Sequence, residues 1–249
     1  MNQSKRRIVD AIVPQGQQLA MRYFWRRLNG KLDKEMFFVK SVIRSRRRFL
    51  DIGANIGVYT YYFSRYFSDV NSFEPISEIT SRISALDRRN VTVHNVALSN
   101  AKGVLDFFIP IDKGALVTGL ASLEPREPPF EIRRIEVHTI DSYKFTDVDL
   151  IKIDVEGHEY HVIEGALETI GRNKPILIVE IEQRHTSMDI GVIFGLILDQ
   201  GYIGFFLTDR VLTPLSQFSY AIHQEPFLNN VASASYMNNF IFLPISEFG

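Results

Sequence analysis

The sequence predicts an α/β fold built on a mainly parallel sheet. Three observations carry that prediction. From residue 49 onward, strand-like apolar runs alternate with helix-like runs. The first strand, Phe49-Leu50-Asp51-Ile52, leads into a glycine turn, Gly53-Ala54-Asn55-Ile56-Gly57, and then into a helical stretch. Two later strands send acids to a common end, the edge where open α/β sheets bind ligands.

In chain order, residues 15–28 are helical by pattern. Leu19, Ala20, Tyr23, Phe24 and Leu28 are expected on one face, with Arg22, Arg26 and Arg27 to the side. Strands are predicted at 49–52, 70–73, 91–96, 150–154 and 176–181, and helices at 56–67, 77–87, 159–170 and 187–200. Gly201 suits the stop of the last helix. Strands at 202–207 and 240–243 close the chain. Residues 100–147 interrupt the rhythm. Two strand-like runs, 104–109 and 133–137, flank a loop with Pro110, Gly114, Gly119, Pro125, Pro128 and Pro129. A loop this long suits a functional role, and it is read as substrate-side. The connection 208–238 is read as a second wall of the pocket.

The 249 residues fit one large domain with an appendage, and 45% hydrophobic content supports a sizeable core. The absence of cysteine removes disulfides, thiolate metal sites and a cysteine nucleophile, and fits a cytoplasmic protein. No apolar run approaches the roughly 20 residues of a membrane span. Asp10 and Pro14 interrupt the N-terminal apolar patches, which argues against a signal-peptide core.

The net charge of -1 conceals a division. Residues 1–48 carry 13 Lys/Arg against 3 Asp/Glu, and residues 49–249 carry 15 against 26. This marks a basic helical extension (1–48) before a main domain (49–249), and the extension suits an anionic partner. Two readings stand. The helix rests on an anionic membrane surface, peripheral to its inner face, or it packs over the sheet with a solvated basic edge. Nucleic acid is not expected, since no recognition motif accompanies the charge.

Glycine lets a ligand approach the main chain, and amides at a helix start attract electron-rich groups. The Gly-x-x-x-Gly spacing differs from the Gly-x-Gly-x-x-Gly of dinucleotide binders and points more towards S-adenosylmethionine than NAD. Asp51 can hold the turn or reach a cationic ligand through water. Asn55 can cap the next helix or bond the ligand's amino-acid end. Glu74, about 20 residues after the turn, can accept both hydroxyls of a ribose, or be a solvated loop acid. Asn95 lies where an adenine edge would be read.

The densest group is Asp149-Leu150-Ile151-Lys152-Ile153-Asp154-Val155-Glu156-Gly157-His158-Glu159. Lys152, Asp154, Glu156 and His158 are the candidates for catalysis. Ionisable groups crowded at a strand end are costly unless paired or used. His158 has the right ordinary pKa for a base at neutral pH; Asp154 or Glu156 can take the proton instead, and Lys152 can fix the carboxylates or polarise the acceptor. Glu180, Glu182 and His185 reach the same edge. The spacing is not metal-specific, so no metal is expected. His161 and Glu164 read as a surface pair.

These blocks together resemble the FkbM family of S-adenosylmethionine-dependent methyltransferases. The matching stretches are FLDIGANIGVYT, FEP, VALSN, DLIKIDVEGHEYHVIEGA and PILIVEIE, and GY and NNFIFLP look like the end of a class I methyltransferase. The loop 110–132 matches only weakly, through Gly119-Leu120-Ala121-Ser122-Leu123, and residues 1–30 are not covered. The resemblance implies a Rossmann-like three-layer sandwich whose seven-stranded sheet runs 3-2-1-4-5-7-6, the last strand antiparallel. It implies O-methylation of a hydroxyl, often on a sugar or a secondary metabolite. With the residues above, the cofactor set becomes Asp51, Gly53, Ala54, Asn55, Gly57, Glu74, Asn95, Ala97 and Asp154. The expected partner is a hydroxyl-bearing acceptor, a sugar or glycan that lipid can carry. Two other readings are a noncatalytic adaptor that keeps the fold, and a nicotinamide oxidoreductase that the glycine spacing disfavours.

Overall fold

The computed structural model describes residues 13–125, 127–209 and 211–248. Two helices come first, α1 (Gln15–Leu28) and α2 (Lys34–Val42). The alternating core follows: β1 (Arg48–Ile52), α3 (Val58–Phe63), β2 (Asp69–Phe73), α4 (Ser77–Ser84) and β3 (Val91–His94). Next come β4 (Ala97–Leu98), β5 (Gly103–Asp112), β6 (Ala115–Leu116) and β7 (Phe130–His138). The second half holds β8 (Val148–Ile153), α5 (Glu159–Glu164), α6 (Leu167–Asn173), β9 (Ile176–Glu180) and α7 (Ile190–Leu198). It ends with β10 (Tyr202–Thr208), β11 (Val211–Pro214), α8 (Tyr220–His223) and β12 (Asn239–Pro244).

The main sheet has eight strands in the order β11-β10-β12-β9-β8-β1-β2-β3. Neighbours from β9 to β3 pair in parallel, whereas β12 is antiparallel to both β9 and β10. The expected seven-stranded order is therefore corrected. β11 doubles back on β10 as an extra edge strand, and a separate four-stranded sheet runs β4-β7-β5-β6.

Central strands buried on both faces read as continuous apolar runs. Phe49 and Leu150 pack with Met36, Val39 and Phe63 on one face. Leu50, Ile151 and Ile153 pack with Val162, Ile163, Ile193 and Ile197 on the other. Each such side chain contributes roughly 2 kcal/mol of transfer free energy, which holds β1 and β8 firmly side by side. The result is helices on both faces of a sheet.

Three predicted elements differ, each for a local reason. The helix expected at 56–67 spans only Val58–Phe63; its start is delayed because Gly57 (φ 77°) is left-handed and cannot continue a helix. The strand expected at 91–96 stops at His94, where its pairing with β2 ends, and the next residues to pair, Ala97 and Leu98, join β7 instead. The helix expected at 159–170 breaks into α5 and α6 at Gly165, where a Cβ would sit 2.1 Å from the Ser99 carbonyl oxygen.

The N-terminal segment packs against the sheet, with the first twelve residues lying outside the described ones. Leu19, Tyr23, Met36 and Val39 are buried. Phe24 and Leu28, expected on the same face as Leu19, are instead exposed. At 100° per residue, Leu28 falls opposite Leu19.

Candidate active site

Each glycine of the turn meets a close neighbour. Gly53 has φ 71°, and a Cβ there would lie 1.8 Å from the Asp154 carbonyl oxygen. Its N–H and that of Ala54 both donate to the Phe73 carbonyl, at 3.0 and 3.1 Å. The turn is thus welded to the ends of β2 and β8. A Cβ on Gly57 would lie 2.6 Å from Leu19 and 3.0 Å from Ile83, so this glycine admits α1 and α4 rather than a ligand. Asp51 is buried and accepts a 2.5 Å hydrogen bond from Thr60 of α3. Burial raises its pKa to about 6, opposed by that bond and by Lys152. Asn55 is not the cap of α3, whose N-cap is Gly57. Instead the Asn55 N–H donates to Glu74 at 2.9 Å.

A cleft enclosing about 570 Å³, part of it open to solvent, lies beside this turn. Gly53, Asn55, Glu74, Ala97, Asp154, Glu156 and His158 all line it. Each Glu74 oxygen accepts one backbone N–H, Oε2 from Asn55 and Oε1 from Ile76, both at 2.9 Å. Each keeps a further lone pair for a ligand hydroxyl. Burial raises Glu74 to about 7, with the two amides pulling the other way. Asn95 does not face the cleft. Its amide donates to the carbonyls of Glu74 (3.0 Å) and Pro75 (2.8 Å) and to Thr80 (3.0 Å), so it positions the loop that carries Glu74. The slot beyond is apolar, flanked by Phe73, Pro75 and 96–98.

A second recess shares Gly53, Asn55 and Asp154 with this cleft, and adds Asp51, Tyr59, Lys152, Arg26 and Asp33. Arg26 and Asp33 come from the N-terminal segment; Arg26 was expected only at the side of the first helix, and Asp33 was not singled out in the sequence. Asp33 is the N-cap of α2, yet its carboxylate makes no capping bond. The recess therefore offers both a cation and carboxylates.

The acids at the ends of β8 and β9 form a network. Lys152 is 1% exposed, and its Nζ donates to Asn239 at 2.9 Å. It lies 3.9 Å from Asp154 and 3.8 Å from Glu180. Burial alone would depress Lys152, but Asp154 and Glu180 outweigh it and keep the ammonium charged. Buried itself, Glu180 is pushed well above the usual carboxylate range, and Asp154 adds to the push. Lys152 thus lies beneath the acids and offsets their charge. Glu156 Oε2 stands 3.1 Å from His185 Nε2. Glu182 is held at about 2 against the upward push of burial by hydrogen bonds from Arg184 and Tyr236.

A family model described as the methyltransferase FkbM domain matches residues 51–203. The chain belongs to that family.

Solved structures agree on the fold. The FkbM methyltransferase from Methylobacillus flagellatus aligns over 94% of this chain at 19% identity and TM-score 0.52. This chain spans 59% of that protein's length. A TehB-like SAM-dependent methyltransferase from Corynebacterium glutamicum aligns over 92% of this chain and 97% of its own, at 13% identity and TM-score 0.50. No curated protein matches the sequence. The chain thus carries a methyltransferase FkbM domain and shares its fold with these solved methyltransferases. Its residues fit S-adenosylmethionine. Gly53 lines the cleft beside Asp154, Glu74 suits a ribose, the apolar slot suits a purine, and the charged recess suits an amino acid.

In this FkbM domain both ring nitrogens of His158 are engaged. Its Nδ1 pairs with Glu124 at 2.7 Å and its Nε2 with Ser99 at 2.8 Å. Glu124 follows the loop 118–123, whose Thr118, Gly119, Ala121 and Leu123 roof the cleft. Ser122 ties that loop to Phe108 through two backbone bonds and to the Val155 carbonyl at 3.2 Å. The loop is thus a wall of the cofactor cleft, and its hydrophobic points of contact were hidden by its irregular sequence. The connection 208–238 reaches the acid network through Tyr236. Among the described residues, Glu124, His158 and His161 bring metal-ligand atom types within 4.8 Å of one another.

Proposed function

We propose that the protein transfers a methyl group from S-adenosylmethionine to a hydroxyl of a sugar or glycan. When bound, S-adenosylmethionine supplies an electrophilic methyl group on its sulfonium. Glu74 accepts the ribose hydroxyls from a carboxylate already aimed by two amides. Asp33 and Arg26 face the amino-acid end across the recess.

The observation that carries the hydroxyl reading is the Glu156–His185 pair, 3.1 Å apart, with Glu156 lining the cleft. A neutral alcohol is a poor nucleophile, and a positioned base gains roughly a hundredfold or more. Glu156 takes the acceptor's proton, and His185 steadies the carboxylate. His158, spent on Ser99 and Glu124, positions the cleft wall instead. Glu182, Tyr236 and Asn238 lie alongside and join one another by hydrogen bonds, the chemistry that reads a polyhydroxylated acceptor.

The test is methyl transfer from isotopically labelled donor across free sugars, glycans, lipid-linked sugars and phenolic metabolites, with and without EDTA. Labelling of a sugar hydroxyl that persists in EDTA is the expected result. Labelling confined to non-sugar metabolites would move the acceptor class. Donor binding with no labelled acceptor would leave a noncatalytic adaptor.

A further inference from the structure

The outward face of α1 carries Met21, Phe24, Trp25 and Leu28, exposed by 39, 59, 43 and 67%. Their spacing is i, i+3, i+4, i+7, one continuous helical stripe. Leu19 and Tyr23 fill the opposite face and are 3 and 4% exposed. The helix is therefore apolar on two sides, and only one of them is used by the fold. Four large apolar side chains left in a row on a surface helix mark a docking face. Arg27 and Lys31 are exposed beside the stripe.

We infer that this stripe docks the protein on the surface of an anionic phospholipid bilayer, α1 lying in the plane of the interface. Apolar side chains that include tryptophan, with basic neighbours, favour that depth. Charge selects the occupant. Residues 1–48 carry 13 Lys/Arg against 3 acids, and the remainder is acidic. An anionic surface attracts the stripe side and repels the rest, which sets the orientation. A second copy would bring two such basic segments together. Among the described residues no helix is long and apolar enough to cross a membrane, so the contact is peripheral.

Trp25 is the only tryptophan of the chain and lies within the stripe, so it reports directly. The full-length protein is titrated with phosphatidylglycerol-containing vesicles and with pure phosphatidylcholine vesicles. The expected result is a shift of Trp25 emission to shorter wavelength, and quenching by brominated acyl chains, with the anionic vesicles. Phe24→Glu with Leu28→Glu lowers vesicle affinity at least about tenfold, and both positions are exposed enough to leave the fold intact. Arg27→Glu lowers it about fivefold on anionic vesicles. No shift with anionic vesicles overturns the inference. So does a shift that tracks protein concentration and dimer formation without vesicles, which would assign the face to a second copy. Trp25 already shielded from iodide in the full chain alone would assign it to residues 1–12, and would overturn it too.

Discussion

The carbonyl oxygen of Asp154 occupies the space where a side chain on Gly53 would begin, 1.8 Å from an ideal Cβ. The contact locks the turn after β1 to the end of β8, and it ties the cofactor turn to the acid cluster. Gly53→Ala is expected to destabilise by at least about 2 kcal/mol, through its left-handed backbone and the clash. Gly171, inside α6 with open space around it, is the control. Gly171→Ala should stabilise by about 0.5–1 kcal/mol. Urea unfolding of both variants checks the contrast.

Glu74 gives the cofactor site a pH dependence. Burial raises it to about 7, so it is protonated over much of the mildly acidic range. Ribose hydroxyls donate best to the ionised carboxylate, so donor affinity should rise as pH climbs towards 7 and level off above. The slope should approach tenfold per unit below that pKa. Glu74→Gln should bind more weakly at pH 8 and lose the slope. Calorimetric titration from pH 5.5 to 8 measures both.

Stability has an opposite trend from Glu159. Its Oε1 accepts the Gly157 N–H at 3.0 Å, and burial raises its pKa to about 7 from an ordinary 4.5. The folded state holds this proton more tightly than the unfolded chain. The stability so gained is full below 4.5 and is lost as pH rises through 7. Glu159→Gln should flatten that decline in thermal unfolding followed across the same window.

The recess with Arg26 and Asp33 predicts how the donor is recognised. Asp33→Asn should weaken S-adenosylmethionine by about tenfold, the worth of a charged hydrogen bond. It should leave 5′-methylthioadenosine, which lacks the amino-acid end, unchanged. Competitive binding of the two ligands separates a lost recess contact from a general loss of the cleft.

His158→Ala should loosen the loop 118–124 and not remove the base. Amide exchange across that loop should quicken, and the donor KM should rise with kcat reduced less than about tenfold. Glu124→Gln should show the same trend in weaker form. A drop in kcat of about a hundredfold at unchanged KM would return the base role to His158.

Much of this was legible because the relevant residues are close in sequence. The strand-turn-helix at 49–63 shows in its apolar run and glycines, and Glu74 follows at a fixed distance after one crossover. Roles set by distant contacts were not legible. The buried Lys152 ammonium is met by Asn239, 87 positions away. His158 is engaged by Ser99 and Glu124, 59 and 34 positions before it. Gly165 is required because the Ser99 carbonyl passes beside it, 66 positions away in the chain. Asp33 and Arg26 reach the recess by the packing of α1 and α2, which periodicity does not orient when both sides of a helix are apolar.

Titration of S-adenosylmethionine into the purified protein, alongside NAD, tests the central claim most directly. A single saturable site for S-adenosylmethionine, weakened by Glu74→Gln and absent for NAD, is the predicted result. No binding of S-adenosylmethionine by the folded wild-type chain, or equal binding of NAD, would contradict it.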